Sequence, residues 1–180
     1  PYNKCARMVE AAATKFGLHP FPIPMLRNSV PYNNRPACIH MRECVGFACP
    51  VDAKNGSQNT VIPVALATGN CELRTECVVS RIEIDDQGHA QGIHYFDAEG
   101  KPQYQTADLI VVSASATETA RLLLNSKSKL FPEGAGNRND WVGRNIQGHA
   151  YCGAAGIFDE DIYDSTGPGA CIAFCDFNHH

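Results

Sequence analysis

Residues 107–126, ADLIVVSASATETARLLLNS, constrain the fold of this 180-residue chain more than any other stretch. Residues 109–112 are a continuous apolar run, the pattern of a strand covered on both faces. Residues 113–116 are all small, so another group can come close to the backbone there. Thr117 is placed to cap a helix that carries Ala120, Leu122, Leu123 and Leu124. A buried strand, a small-residue turn and a helix start form a ligand-cradling unit in α/β sheets, because the first-turn N–H groups have no partner within the helix. No glycine-rich phosphate-binding fingerprint accompanies this one.

The chain is long enough for a real core, and one domain is the default. The net charge of −4, with Lys and Arg scattered, argues against a nucleic-acid-binding surface. The longest apolar runs are too short for a transmembrane segment. The first residues also lack a basic region followed by an apolar stretch, so no targeting signal is visible and the compartment stays open. Nine cysteines are an odd number, which argues against a fully paired disulfide scaffold. They are expected to be mostly reduced, small, buried residues.

Residues 2–16 read as a helix, with Cys5, Met8, Val9, Ala12, Ala13 and Phe16 at helical spacing and Gly17 as the stop. Residues 19–36 hold five prolines and read as irregular. Residues 35–60 read as a structured loop, and a short helix follows at 61–67. A strand over 71–85, a turn at 86–88, a returning strand over 90–96, a turn at 97–100 and a third strand over 102–106 make a β-meander. It leads into the apolar run and the helix described above. Residues 127–139 read as a loop and 141–149 as a compact turn segment. Two more strands are expected at 154–158 and 170–177.

Three segments together resemble the glucose–methanol–choline (GMC) family of flavin-dependent oxidoreductases. The first is VALATGNCELRTECVVSRIEID followed by HAQGIHYFDAEGK, similar to the family's TGN-x-EL turn, V-x-R-I strand and return strand. The second is VVSASATETARLLLNS, similar to V-V-x-A-G-A-x-E-T-x-R-L-L-L. The third is WVGRNIQGH, similar to V-G-R-N-L-Q-D-H. RPACIHMRECVGFACPVDAKNGSQNT and ACIAFCDFNH fit the subgroup of gluconate, fructose and glucose dehydrogenases. The family's opening G-x-G-x-x-G and its C-terminal catalytic histidine have no counterpart here, so the chain is expected to be an internal fragment of a longer enzyme, inactive by itself.

The resemblance implies an α+β or α/β fold: part of a GMC-type FAD-binding fold, built from the meander, a buried strand and a helix, with the start of a substrate domain. Residues 1–70 would be a helix and a Cys-rich loop over the cleft. Residues 71–126 would belong to the FAD-binding domain, and 127–180 would be a connection and the start of the substrate-binding domain. The implied cofactor is FAD. The implied reaction is hydride transfer to flavin from the CH–OH group of a sugar, sugar acid or related alcohol, with an electron-acceptor partner in the dehydrogenases.

The candidate cofactor-binding residues follow from the alignment of motifs. Val79 falls where the family's strand meets the adenine through its backbone; a plain core valine is the alternative. Ala114 and Ser115 fall on the A-G pair near the flavin, with serine in place of glycine, or else form a tight strand-to-helix turn. Asn145, Gln147 and His149 fall on the N-L-Q-D-H element, with Gly148 in place of the acidic residue. His149 also suits a hydrogen-bonded structural role. No catalytic residue is expected in this chain. His19, His40, His89 and His94 read as surface residues, and His179 and His180 lie beyond any motif.

Cys38, Cys44 and Cys49 support a rival reading, an iron–sulfur or other metal-binding module, since three thiolates on one loop can hold a cluster. No C-x-x-C pair suggests zinc. Unligated thiols in the cleft loop are the alternative. A non-catalytic α+β binding domain is a further rival to the enzyme.

Overall fold

Asn3 opens the first helix. Its Oδ1 accepts the Ala6 N–H at 2.8 Å, while its Nδ2 donates to the Gly169 carbonyl at 2.8 Å. An Asn in this position supplies one of the acceptors that a helix start lacks. The computed structural model describes residues 2–164 and 167–178; His179 and His180 fall outside them. The chain divides into two units, one of residues 1–71 with 154–180 and one of residues 72–153.

In the first unit, α1 spans Lys4–Lys15 and stops before Gly17, whose φ of +73° suits glycine. The expected apolar stripe is mostly uncovered. Ala6 and Ala13 are buried, but Phe16 is 83% exposed. The physical reason is that β5 is the one element packed on α1 among the described residues. β1 (Phe21–Pro22) pairs antiparallel with β5 (Ile172–Ala173), with Phe21 opposite Ala173. This ladder falls inside the segment read as irregular, because two residues are too few for an alternation signal.

The strand expected over 170–177 is therefore only two residues long, limited by its partner. The strand expected over 154–158 does not form; those residues are exposed and no ladder faces them. Residues 26–55 form a tied loop. Asn28 N–H donates to Ala53 O at 2.8 Å, Asn55 N–H to Leu26 O at 2.8 Å and Cys38 N–H to Asn28 O at 2.9 Å. The Arg35 guanidinium reaches Asn55 Oδ1 at 2.6 Å and Asp52 O at 3.1 Å. α2 (Val61–Ala67) follows.

The second unit is built on the meander of β2 (Val78–Ile84), β3 (Ala90–Phe96) and β4 (Pro102–Thr106), paired in that order and antiparallel. The returning strands match the expected bounds. β2 is shorter than the expected 71–85 because Val78 already pairs with Phe96, the last residue of β3, and nothing faces 71–77. Register shifts after Val79 and after Glu83 bend the strand.

α3 spans Ser115–Asn125 and lies on β2. The joint is specific. Ser126 Oγ accepts the Ile82 N–H at 2.8 Å and donates to Leu122 O at 2.6 Å, and the serine is fully buried. Ile82 and Leu122 are buried on either side of it. Ala135 N–H caps the Leu123 carbonyl at 2.8 Å. Gly134, at φ +111°, makes that approach possible, since a Cβ there would stand 2.7 Å from Leu123 O.

The apolar run 109–112 is not the buried strand that its composition suggests. It is extended but joins no ladder, and Leu109 and Val111 are 81% and 77% exposed. Its apolar character asks for sheet neighbours on both sides, and no described strand of this chain lies beside it. The architecture is thus a small mixed α/β arrangement whose sheet is the meander.

The cysteines also differ from expectation. All nine are free, but Cys171 alone is buried; Cys5, Cys71, Cys152 and Cys175 are exposed and the rest half-buried. The histidines are more engaged than surface residues need be. His94 is half-buried with Nε2 2.9 Å from Glu83 Oε2, and His19 Nδ1 lies 2.6 Å from Asp176 Oδ1.

Candidate functional site

The start of α3 is the natural place to look, because the chain there turns from extended to helical through small residues. Ala114 is the N-cap residue and offers no side-chain acceptor. Thr117 does not cap the helix as expected; it lies inside the first turn, because the helix begins two residues earlier. Thr119 Oγ1 instead accepts the Ala114 N–H at 3.2 Å. Ser115 sits at φ +63°, in the left-handed region that disfavours any side chain. Backbone geometry therefore asks for glycine at this position.

A cavity of about 450 Å³ opens between this turn and the sheet. Val79, Ile82 and Ile93 form its sheet wall, and residues 110–114 form its other wall. Glu118 and Arg121, one turn into α3, close the end and pair with each other at 2.6 Å. A second cavity of about 530 Å³ runs along the same sheet and shares Cys77, Val79 and Ile93. Its polar end is Arg74, which donates to Tyr95 Oη at 2.9 Å, Gln105 Oε1 at 3.1 Å and Glu72 at 2.7 Å. The Arg74 hydrogen bonds hold the Glu72 carboxyl below the usual range.

The structure thus brings Val79 and Ala114 to one cavity, with Ser115 next in the chain. Asn145 and Gln147 stand elsewhere. They line a cavity of about 710 Å³ with Thr117, Ala120, Leu124 and Asn125 of α3. His149 lines neither of these cavities; it is exposed and meets Tyr151 edge-on at 5.7 Å. The expected cluster is therefore two groups that share α3, with His149 apart. Glu118 and Arg121 were missed as site residues although both stand in the ATETAR motif. Arg74 carried no sequence signal beyond its charge.

The apolar walls and uncapped first turn fit the adenosine part of FAD. Val79, Ile93 and Val111 provide flat apolar surface for a base, and the free N–H groups at the start of α3 favour negative charge. Nothing in the lining places a fixed charge where it would oppose that, since Glu118 is already paired with Arg121.

Cys38, Cys44 and Cys49 do approach one another, lining a small cavity of about 30 Å³. They do not form a metal centre. No group of three or more His, Cys, Asp or Glu among the described residues is placed to hold a metal ion. Two of the sulfurs are held as hydrogen-bond acceptors instead. Cys38 Sγ accepts from Arg27 at 3.3 Å, and Cys49 Sγ accepts the Ala53 N–H at 3.2 Å. Burial works against ionisation of Cys49. The N–H groups of Val51, Lys54 and Ala53 and the Lys54 charge outweigh it, so the thiol lies below its ordinary value.

The GMC oxidoreductase family profile matches residues 2–151. The 6'''-hydroxyparomomycin C oxidase of Streptomyces lividus is 32% identical over 181 residues, covering 97% of this chain and 33% of that protein. The fructose dehydrogenase large subunit of Gluconobacter japonicus is 29% identical over 168 residues, covering 93% of this chain and 30% of that protein. The gluconate 2-dehydrogenase flavoprotein of Pantoea cypripedii is 29% identical over 189 residues, covering 96% and 29%. The chain spans about a third of the length of these curated relatives.

Proposed function

This chain belongs to the GMC oxidoreductase family, and on that premise we propose that it builds part of the cofactor region of an FAD-dependent oxidoreductase. The substrate is the CH–OH group of a sugar, sugar acid or related alcohol. The observation that carries this reading is the cavity between Val79 and the small-residue turn at Ala114, open beside the uncapped start of α3. Relatives named for aminoglycoside, fructose and gluconate substrates support the polyhydroxylated class.

When bound, FAD supplies the hydride acceptor, chemistry that no side chain offers. The residues of this chain bind and orient. Val79 and Ile93 hold the apolar part of the cofactor against the sheet. The turn at Ala114 and Ser115 lets the backbone come near, and the first-turn N–H groups of α3 meet negative charge. Asn145 and Gln147 offer amide donors and acceptors on the other side of α3, and His149 lies just beyond them. Residues 71–126 form the cofactor wall, residues 1–70 supply the cleft loop and residues 127–180 lead to the substrate domain. No proton-transfer step is assigned to a residue of this chain.

The test is an anaerobic spectrum of the full-length protein. Bleaching of a bound flavin band on adding an aldose, aldonate or aminoglycoside supports the reading. A flavin that stays oxidised with every polyol offered overturns the substrate class.

A further inference from the structure

We propose that Cys49 is a peroxide-sensitive thiol and that Cys44 is its resolving partner, closing a disulfide across the small cavity of the 38–54 loop. This goes beyond the flavin chemistry and does not depend on it. Three observations converge. Cys38, Cys44 and Cys49 line one cavity and are all half-buried, so a small oxidant reaches them while larger reagents are restricted. The Cys49 sulfur is an acceptor for the Ala53 N–H at 3.2 Å, an arrangement that favours the thiolate. Lys54 joins the pair: its Nζ donates to the Cys44 carbonyl and, at 2.6 Å, to the Phe47 carbonyl, and its charge acts on Cys49.

Cys44 is favoured over Cys38 as the partner on the same grounds. The Cys38 sulfur is engaged by the Arg27 guanidinium at 3.3 Å and by the His40 N–H at 3.4 Å. Cys44 and Cys49 share the loop that Lys54 gathers.

The oxidant is hydrogen peroxide. The Cys49 thiolate attacks one peroxide oxygen; an S–O bond forms, the O–O bond breaks and hydroxide leaves, so sulfur is oxidised and peroxide reduced. The Cys44 thiol then attacks the sulfenic sulfur. An S–S bond forms, the S–O bond breaks, and the leaving hydroxide takes the Cys44 proton as water.

The experiment treats the reduced, metal-free full chain with hydrogen peroxide near neutral pH and maps the products by peptide mass spectrometry. Wild type is expected to yield a Cys44–Cys49 disulfide. Cys44→Ser is expected to accumulate a dimedone-trapped sulfenic acid at Cys49, formed ~10-fold faster than at exposed Cys5, Cys152 or Cys175. Lys54→Met is expected to slow the Cys49 reaction and Lys54→Arg to restore most of it, which separates charge from folding. Equal reactivity of Cys49 and Cys5 overturns the proposal. So does a crosslink to Cys38, or iron retained by the three thiols after native purification.

Discussion

Replacing Ser115 with glycine is expected to stabilise the chain, an unusual outcome for a glycine placed at a helix start. Ser115 holds φ at +63°. A residue with a Cβ in that region carries about 1.5 kcal/mol of local strain. Glycine removes it, but gains freedom in the unfolded chain worth about 0.7 kcal/mol. The serine side chain is exposed and takes part in no hydrogen bond among the described residues, so its loss subtracts little else. The net expectation is about 0.8 kcal/mol in favour of Ser115→Gly. Ser115→Val, with a β-branched side chain in the same region, is expected to lose about 1 kcal/mol or more. Urea unfolding followed by circular dichroism measures both. A glycine variant less stable than wild type, or a valine variant equal to it, would refute the reasoning. The same substitution bears on function, because it clears the backbone beside the cavity at Ala114.

Two further outcomes follow from the second unit. Ser126→Ala leaves the buried Ile82 N–H without its acceptor and is expected to cost about 2 kcal/mol of stability in the same unfolding assay, detaching α3 from β2. Asp97 accepts the Lys101 N–H at 2.8 Å, and this bond is the main cause holding its carboxyl below the ordinary value. A depressed folded-state value means that the contribution to the β3–β4 turn is present above the ordinary aspartate range. It is lost as pH falls below about 4 through the folded value. Carbon-detected NMR titration of the Asp97 carboxyl, with exchange of the Lys101 amide, checks the sign.

The meander was legible because its signals are local: alternation in β2, and turns at Asp86-Gln87-Gly88 and Asp97–Gly100 that fix where β3 and β4 begin. α3 was legible from its leucines, but its first residue was not, because nothing in the residue type of Ser115 announces a left-handed backbone. The run at 109–112 misled for a physical reason. Continuous apolar residues report an environment that buries both faces, and the described part of this chain does not supply one. The β1–β5 pair was invisible since two-residue ladders have no period. Among site residues, Val79 and Ala114 were placed at one cavity by motif order. The separation of His149 from Asn145 and Gln147 could not be read, because residues two apart in an irregular segment need not face the same space. Glu118 and Arg121 were available in ATETAR; a Glu and an Arg three apart on a helix mark a common face.

The most direct test is the flavin content of the full-length protein with and without Ala114→Phe, a change that fills the cavity beside Val79 from an exposed N-cap position. The account predicts that wild type purifies with bound FAD. It also predicts that the phenylalanine variant keeps its circular dichroism but loses most of the flavin. Equal flavin content in the two proteins, or a wild type that binds none when FAD is supplied, would contradict the assignment of this cavity to the cofactor.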